Sequence, residues 1–433
     1  MGRTASSPPW IPARPPEAQM NTLLRWAVAV GKHQSANLRT LLTGRPVLQP
    51  GFAGRTLAQA DVELAEQWLD QREAWEDDAT SRSYECKFAE FVGASRAFSF
   101  RSGRESLSAC LRALRLDPGS EVILPGFTCI VVANAVEFEG LVPVFADIEL
   151  ETFGLDVDSV RQRITPRTRA IIVQHSFGLV CRDYVDLVEL ARSKGIRVIE
   201  DCAHATGAKF RERSVGRMGD LAFFSSEQSK ALCTVMGGMA VTDDEQLAQR
   251  IDDVQQDWPY PEPTWTERAL RSVPLLYNSN FGSRRQRRGG AVGLRYRDQL
   301  LISTTEEEVH GRQPTDYGRR LPAPLASLGR RQLEALPCIN SKRRRAARNW
   351  DEWCGEWGLK SPRVVVGSEP IFLRYPVLVD PAQKRDLRWA QRDLGFRPGV
   401  WFISHLHPSP RPVPDCPRAE EAVAGTINLP TLL

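Results

Sequence analysis

An α/β fold, in which a mostly parallel sheet is covered by helices, is predicted from two observations. Between residues 97 and 242, short β-rich runs alternate with amphipathic stretches of helical spacing, the pattern of parallel strands joined by crossover helices. After about residue 255 that regularity fails, and the last third reads as a smaller α+β domain. A chain of 433 residues has room for two or three such units.

Taken in order, residues 1–20 are proline-rich and polar and are expected to be disordered. Residues 21–80 form an N-terminal helical segment, its periodicity clearest over 57–68. Residues 81–255 form the large domain, with strands expected at 97–100, 121–124, 142–145, 169–173, 197–200 and 221–224. Helices are expected between them at 105–114, 131–139, 156–163 and 184–194. Residues 256–315 read as a loop-rich basic insertion, from Trp258-Pro-Tyr-Pro-Glu-Pro to the arginine run at 284–288. Residues 316–433 form the small C-terminal α+β domain, with a helix at 325–353, a strand at 371–379 and a helix at 384–394.

Composition narrows the function. With 42% hydrophobic and 25% charged residues the chain is ordinary globular protein, and a net charge of +4 argues against nucleic acid as a partner. No run approaches the ~20 apolar residues of a membrane helix. Nine scattered cysteines without a Cys-x-x-Cys pair read as reduced thiols, hence a cytoplasmic location, and six histidines without ligand spacing predict no metal. Only eight lysines stand among 57 basic residues, so any chemistry that needs an amine has few candidates.

Open parallel sheets bind ligands beyond the carboxyl ends of their strands, and three such ends stand out. The first strand is followed by Arg101-Ser-Gly103-Arg104-Glu105, a glycine turn opening a helix. Such a turn offers an anion free amides and a helix dipole, with charge added by Arg104, although most such turns are plain helix starts. The fifth run ends in Glu200-Asp201-Cys-Ala-His204, and a carboxylate at the end of an apolar strand wants a cationic partner unless it is a helix cap. The sixth ends in Ser225-Ser-Glu-Gln-Ser-Lys230, followed by an apolar stretch and Gly237-Gly238. A lysine so flanked can sit in a pocket where desolvation makes its amine nucleophilic, although surface lysines are the rule. An anion cradle, a carboxylate and a lysine on strand ends together match the needs of pyridoxal phosphate.

From Tyr84 to Pro430 the sequence resembles the DegT/DnrJ/StrS group of fold-type I pyridoxal-phosphate enzymes, sugar aminotransferases. The strongest stretch is Val198-Ile-Glu-Asp-Cys-Ala-His-Ala-Thr-Gly-Ala, followed by Gly216, Gly219-Asp220, residues 223–225, Lys230 and Gly237-Gly238. Ser102-Gly-Arg-Glu-Ser-Leu, Leu124-Pro-Gly-Phe-Thr, His175-Ser-Phe-Gly and Asn428-Leu-Pro support it. The resemblance implies Lys230 as Schiff-base lysine and proton shuttle, Asp201 on the pyridine nitrogen and His204 beside the ring oxygen. It also implies that Ser225 binds phosphate, with Gly103 and the backbone of Arg104 and Glu105. The cofactor implied is pyridoxal 5′-phosphate, the reaction transfer of an amino group from glutamate to a nucleotide-linked ketosugar, and the assembly a homodimer.

The sequence departs from the group at two positions. Cys129 stands where relatives place an aromatic ring, leaving open whether it or Phe127 lies over the cofactor, and Gly318 replaces a common partner-subunit asparagine, with Arg320 retained. Two alternatives stay open: another pyridoxal-phosphate reaction, or a non-catalytic regulatory relative. The dehydratase branch replaces the lysine with histidine, so Lys230 argues against it.

Overall fold

The computed structural model describes residues 52–282 and 300–432. The expectations for residues 1–20 and for the arginine run at 284–288 lie outside the described residues. Seven strands form the central sheet: β1 Arg96–Phe100, β2 Glu121–Pro125, β3 Val142–Ala146, β4 Thr168–Gln174, β5 Arg197–Asp201, β6 Leu221–Ser225 and β7 Gly238–Thr242. Their spatial order is β1-β7-β6-β5-β4-β2-β3. Neighbouring strands are parallel throughout except at β7, which runs antiparallel to both β1 and β6.

Six of these strands are expected from sequence; β7 is not. Its run is short and opens on glycine, which weakens a strand signal. The glycine has a steric reason. A Cβ at Gly238 would lie 2.3 Å from the Ser102 carbonyl oxygen and 2.4 Å from the Ser106 hydroxyl. Only a bare backbone lets β7 pass beneath the first turn of the helix that follows β1.

The helices are α1 Gln59–Leu69, α2 Asp78–Val92, α3 Gly103–Leu114, α4 Ile130–Phe138, α5 Val157–Arg163, α6 Tyr184–Ser193 and α7 Glu245–Asp257. They cover both faces of the sheet, and alternate strand residues divide between two cores. Ile123, Ile171, Val173, Val198 and Phe224 join Tyr84, Phe88 and Leu187 on one side. Val122, Leu124, Ile172, Ile199 and Phe223 join Leu107, Ile130 and Ile251 on the other.

The loop-rich expectation for 256–315 is wrong over 263–281. Helix α8, Pro263–Phe281, runs for 19 residues and buries Thr266, Ala269, Leu270, Val273 and Leu276 on one face. Proline in the first turn favours a helix start, whereas the prolines before it and Pro274 within it read locally as breakers. A short helix, α9 Glu306–Val309, follows, then α10 Ala323–Glu356, which lies against α2 through Gly329, where a Cβ would meet the Tyr84 ring at 2.4 Å. The C-terminal region adds the antiparallel pair β8 Tyr375–Leu378 and β9 Thr426–Leu429, with α11 Pro381–Arg385, α12 Arg388–Asp393 and α13 Pro417–Gly425. No helix among the described residues is long and apolar enough to cross a membrane.

Candidate active site

The sheet register brings the singled-out strand ends together. Asp201, last in β5, is in register with Gln174 of β4 and Phe223 of β6. Ser225, last in β6, pairs with Gly238 of β7, which in turn pairs with Phe100 of β1. The turn after β1, the carboxylate and the lysine loop therefore meet at one edge of the sheet. They line one cavity that includes Gly103, Arg104, Asp201, His204, Ser225 and Lys230.

Ser102 caps α3: its hydroxyl faces the Glu105 amide at 3.4 Å and donates to the Glu105 carboxylate at 2.9 Å. The Gly103 and Arg104 amides meet no acceptor among the described residues, as expected of a first helical turn. A Cβ at Gly103 would come 3.0 Å from Ser225 Cβ and 3.3 Å from its hydroxyl, so the glycine lets Ser225 reach the turn. This is a small cradle of two amides and a hydroxyl.

Two expectations for the cradle change: Arg104 adds no free charge, and the Glu105 amide, expected to face the phosphate, is turned to the Ser102 hydroxyl. The charge of Arg104 is not offered to a ligand, because its guanidinium is ion-paired with the buried Glu308 carboxylate and donates to the Ser303 carbonyl. That pairing fixes the stretch bearing Ser303 and Thr304, which also line the cavity. Glu105 works as a brace: fully buried, it accepts from Arg101 at 2.7 Å and from the Gly318 amide at 3.2 Å. Gly318 itself has φ +79°, and a Cβ there would meet the Trp258 ring at 3.1 Å, a steric reason for glycine at this position.

Burial dominates the electrostatics. Asp201 accepts the Ala203 amide at 2.9 Å but has no cationic hydrogen-bond partner among the described residues, and desolvation raises its pKa to about 6. Lys230, held by a turn from its amide to the Glu227 carbonyl, has its pKa lowered, mainly by burial. His204 is held well below the usual histidine range, first by burial and then by the nearby Lys230 charge. Its Nδ1 accepts the Phe177 amide at 3.2 Å, so the neutral ring carries its proton on Nε2.

The neighbouring His175 orders the loop after β4. Its Nδ1 accepts the Cys181 amide and its Nε2 donates to Glu200, both at 3.2 Å. The Glu200 carboxylate also receives Tyr184 and the amides of Gly216, Met218 and Gly219. Burial pushes its pKa up, but these donors outweigh it and leave the pKa lowered. His175, Glu200 and Cys202 bring potential metal-ligand atoms within 4.8 Å of one another, yet the carboxylate is already occupied by five donors.

Cys129, not Phe127, faces the cavity. Phe127 is wholly buried among Phe153, Phe177 and Phe402. Cys129 sits in a short parallel pairing of Thr128–Cys129 with Leu406–His407, which brings the C-terminal region to the cleft. From there comes a ring that the sequence leaves open between core packing and stacking on a sugar or nucleobase: Trp401 stacks on His204 at 4.7 Å and 29°, and Lys230 Nζ lies 4.6 Å from its centroid. The local sequence does not choose between the two, since an aromatic residue in an apolar run suits a core and a ligand platform equally well.

A lysine, a carboxylate and an anion cradle at the carboxyl edge of a mostly parallel sheet define a pyridoxal-phosphate type of α/β enzyme. Residues 56–432 match the DegT/DnrJ/EryC1/StrS aminotransferase family, and the chain belongs to that family. Enzymes of this family work with pyridoxal 5′-phosphate. The chain is 36% identical over 205 residues to GDP-perosamine synthase of Escherichia coli O157:H7, a stretch covering 47% of this chain and 55% of that enzyme. It thus spans about half the length of that relative. It is 29% identical over 354 residues to UDP-N-acetyl-3-dehydro-alpha-D-glucosamine 3-aminotransferase of Acidithiobacillus ferrooxidans, covering 81% and 82% of the two chains. The structure of DesI in the presence of its TDP-sugar product superposes with a TM-score of 0.65 at 26% identity, covering 90% of both chains.

Proposed function

We propose that this chain is a pyridoxal-phosphate-dependent aminotransferase that moves an amino group from an amino-acid donor, glutamate in the first instance, to a nucleotide-linked ketosugar. The observation that carries the reading is the meeting of Lys230, Asp201 and the Gly103–Ser225 cradle at one sheet edge. The names of relatives that act on GDP-, UDP- and TDP-linked sugars support the acceptor class.

The residues present fit the cofactor. Asp201 is a buried carboxyl without a cationic hydrogen-bond partner among the described residues, and a protonated pyridine nitrogen would supply one. The amides of Gly103 and Arg104 with the Ser225 hydroxyl suit a phosphate, and the His204 Nε2–H suits a ring oxygen. Pyridoxal phosphate, when bound, supplies the electron sink that lets an amino group change carbon. Lys230 would hold the cofactor covalently and, once released, carry the proton at Nζ, because a desolvated amine spends more of its time uncharged.

The test is the visible spectrum of the protein with pyridoxal phosphate, alone and with L-glutamate. An absorption band absent from Lys230→Ala and bleached by L-glutamate is expected. A spectrum identical in wild type and variant sinks the reading. A Lys230-dependent band that L-glutamate leaves unmoved keeps the cofactor and removes this donor.

A homodimer belongs to the same reading, because the family resemblance implies sites built from two subunits. Light scattering should return about twice the 48.5 kDa chain mass; a monomer that keeps the spectral response would exclude a shared site. All nine cysteines are unpaired, which supports a reducing, cytoplasmic setting.

A further inference from the structure

Arg374 is a buried cation without a counter-ion among the described residues. It is 7% exposed, and it forms no ion pair or hydrogen bond among the described residues. Its Nε is fully buried without an acceptor. The guanidinium carbon lies 3.6 Å from the centroid of Trp401 and 4.3 Å from that of Phe52. The charges that act on it include Glu227, which already accepts the Ser229 amide and hydroxyl, and two further buried cations, Arg343 and Lys230. The polypeptide around it is apolar, Ile371-Phe-Leu before and Tyr-Pro-Val after.

A guanidinium held against aromatic rings is stabilised on its faces, so its free hydrogen-bonding capacity lies at the edge. That edge matches the two oxygens of a carboxylate, and a charge this deeply desolvated needs an anion once the site is in use. Its position selects the anion. Lys230 Nζ and the Arg374 guanidinium share one indole ring, at 4.6 and 3.6 Å from its centroid. In an α-amino acid the carboxylate is one carbon away from the amine. In a nucleotide-linked sugar the diphosphate is separated from the reacting carbon by atoms of the sugar ring.

We propose that Arg374 receives the α-carboxylate of the amino donor, with Trp401 as the platform that holds the guanidinium within reach of Lys230. This rests on the aminotransferase reading and deepens it. Arg374 thereby makes the site select amino acids over simple amines.

The experiment titrates the Lys230-dependent band of the full-length, pyridoxal-phosphate-loaded protein with L-glutamate, L-glutamine and L-isoglutamine, with UDP and GDP as competitors. L-isoglutamine carries an amide in place of the α-carboxylate and is an isomer of L-glutamine. Wild type should favour L-glutamate over L-isoglutamine. Arg374→Met should raise the half-saturating L-glutamate concentration about 30- to 100-fold and remove most of that discrimination. Arg374→Lys keeps the charge without the fork and should fall between, at about 10-fold. If Arg374→Met does not fold, Arg374→Lys carries the test alone. A wild-type response to L-glutamate in the folded variant, or equal losses with all three amino compounds, overturns the proposal in favour of a packing role. A loss confined to UDP and GDP overturns it in favour of a diphosphate receptor. A wild type without the Lys230-dependent band brings down the aminotransferase reading itself, and this proposal with it.

Discussion

Burial acts on Lys230 and Asp201 with opposite signs, because it penalises whichever form is charged. It lowers the pKa of the amine and raises that of the carboxyl from 3.8 to about 6. For Asp201 the consequence for stability is definite. A folded-state pKa above the unfolded one contributes stability that is present in full below pH 3.8 and lost as pH rises through about 6. The span corresponds to roughly 3 kcal/mol at the top of that window. Asp201→Asn should therefore make the cofactor-free protein more stable than wild type above pH 6 and equally stable near pH 4, in urea unfolding across that range. It should also weaken retention of pyridoxal phosphate. Parallel pH profiles for the two proteins would exclude an Asp201 perturbed in this way.

At the scale of elements, the closing of the cradle depends on Arg104 and Glu308, 204 residues apart in sequence. The Glu308 side chain is buried and that of Arg104 nearly so, at 1% and 11% exposure, and their pairing ties α9 and Ser303 to the first turn of α3. Glu308 also completes the capping box of α9 with Thr305, and its carbonyl accepts from Asn134 in α4. Removing one partner of such a pair leaves an uncompensated charge, at a cost of about 3–5 kcal/mol. Glu308→Ala should lose stability on that order in urea unfolding and expose 300–312 to protease. The double substitution Arg104→Met with Glu308→Leu should recover most of the loss, because no buried charge is left behind. If the double variant is as unstable as the single one, the charge is not what Glu308 balances.

Over the whole molecule, what could be read beforehand follows the range of the interactions involved. Six strands of the large sheet and the helices between them carry local periodicity, because the alternation that sorts Ile171 and Val173 to one core and Ile172 to the other is written residue by residue. The lysine loop, Asp201 and the glycine turn are legible for a similar reason, since strand ends are where a parallel sheet binds ligands. β7 has no local signal because its glycine answers to Ser102 and Ser106, and α8 has none because its prolines read locally as breakers. Arg104 reads in sequence as a free charge because its partner comes from α9, and Trp401, which reaches Lys230, and Arg374, which reaches the same ring, come from the C-terminal region. The sequence alone determined the fold class, the cofactor chemistry and the residues next to each strand end, because those depend on patterns a few residues long. The tertiary structure alone decided which charges are already spent, which ring stands beside the lysine and that the buried Arg374 has no counter-ion among the described residues. Those depend on burial and pairing between segments far apart in the chain, which no local pattern encodes.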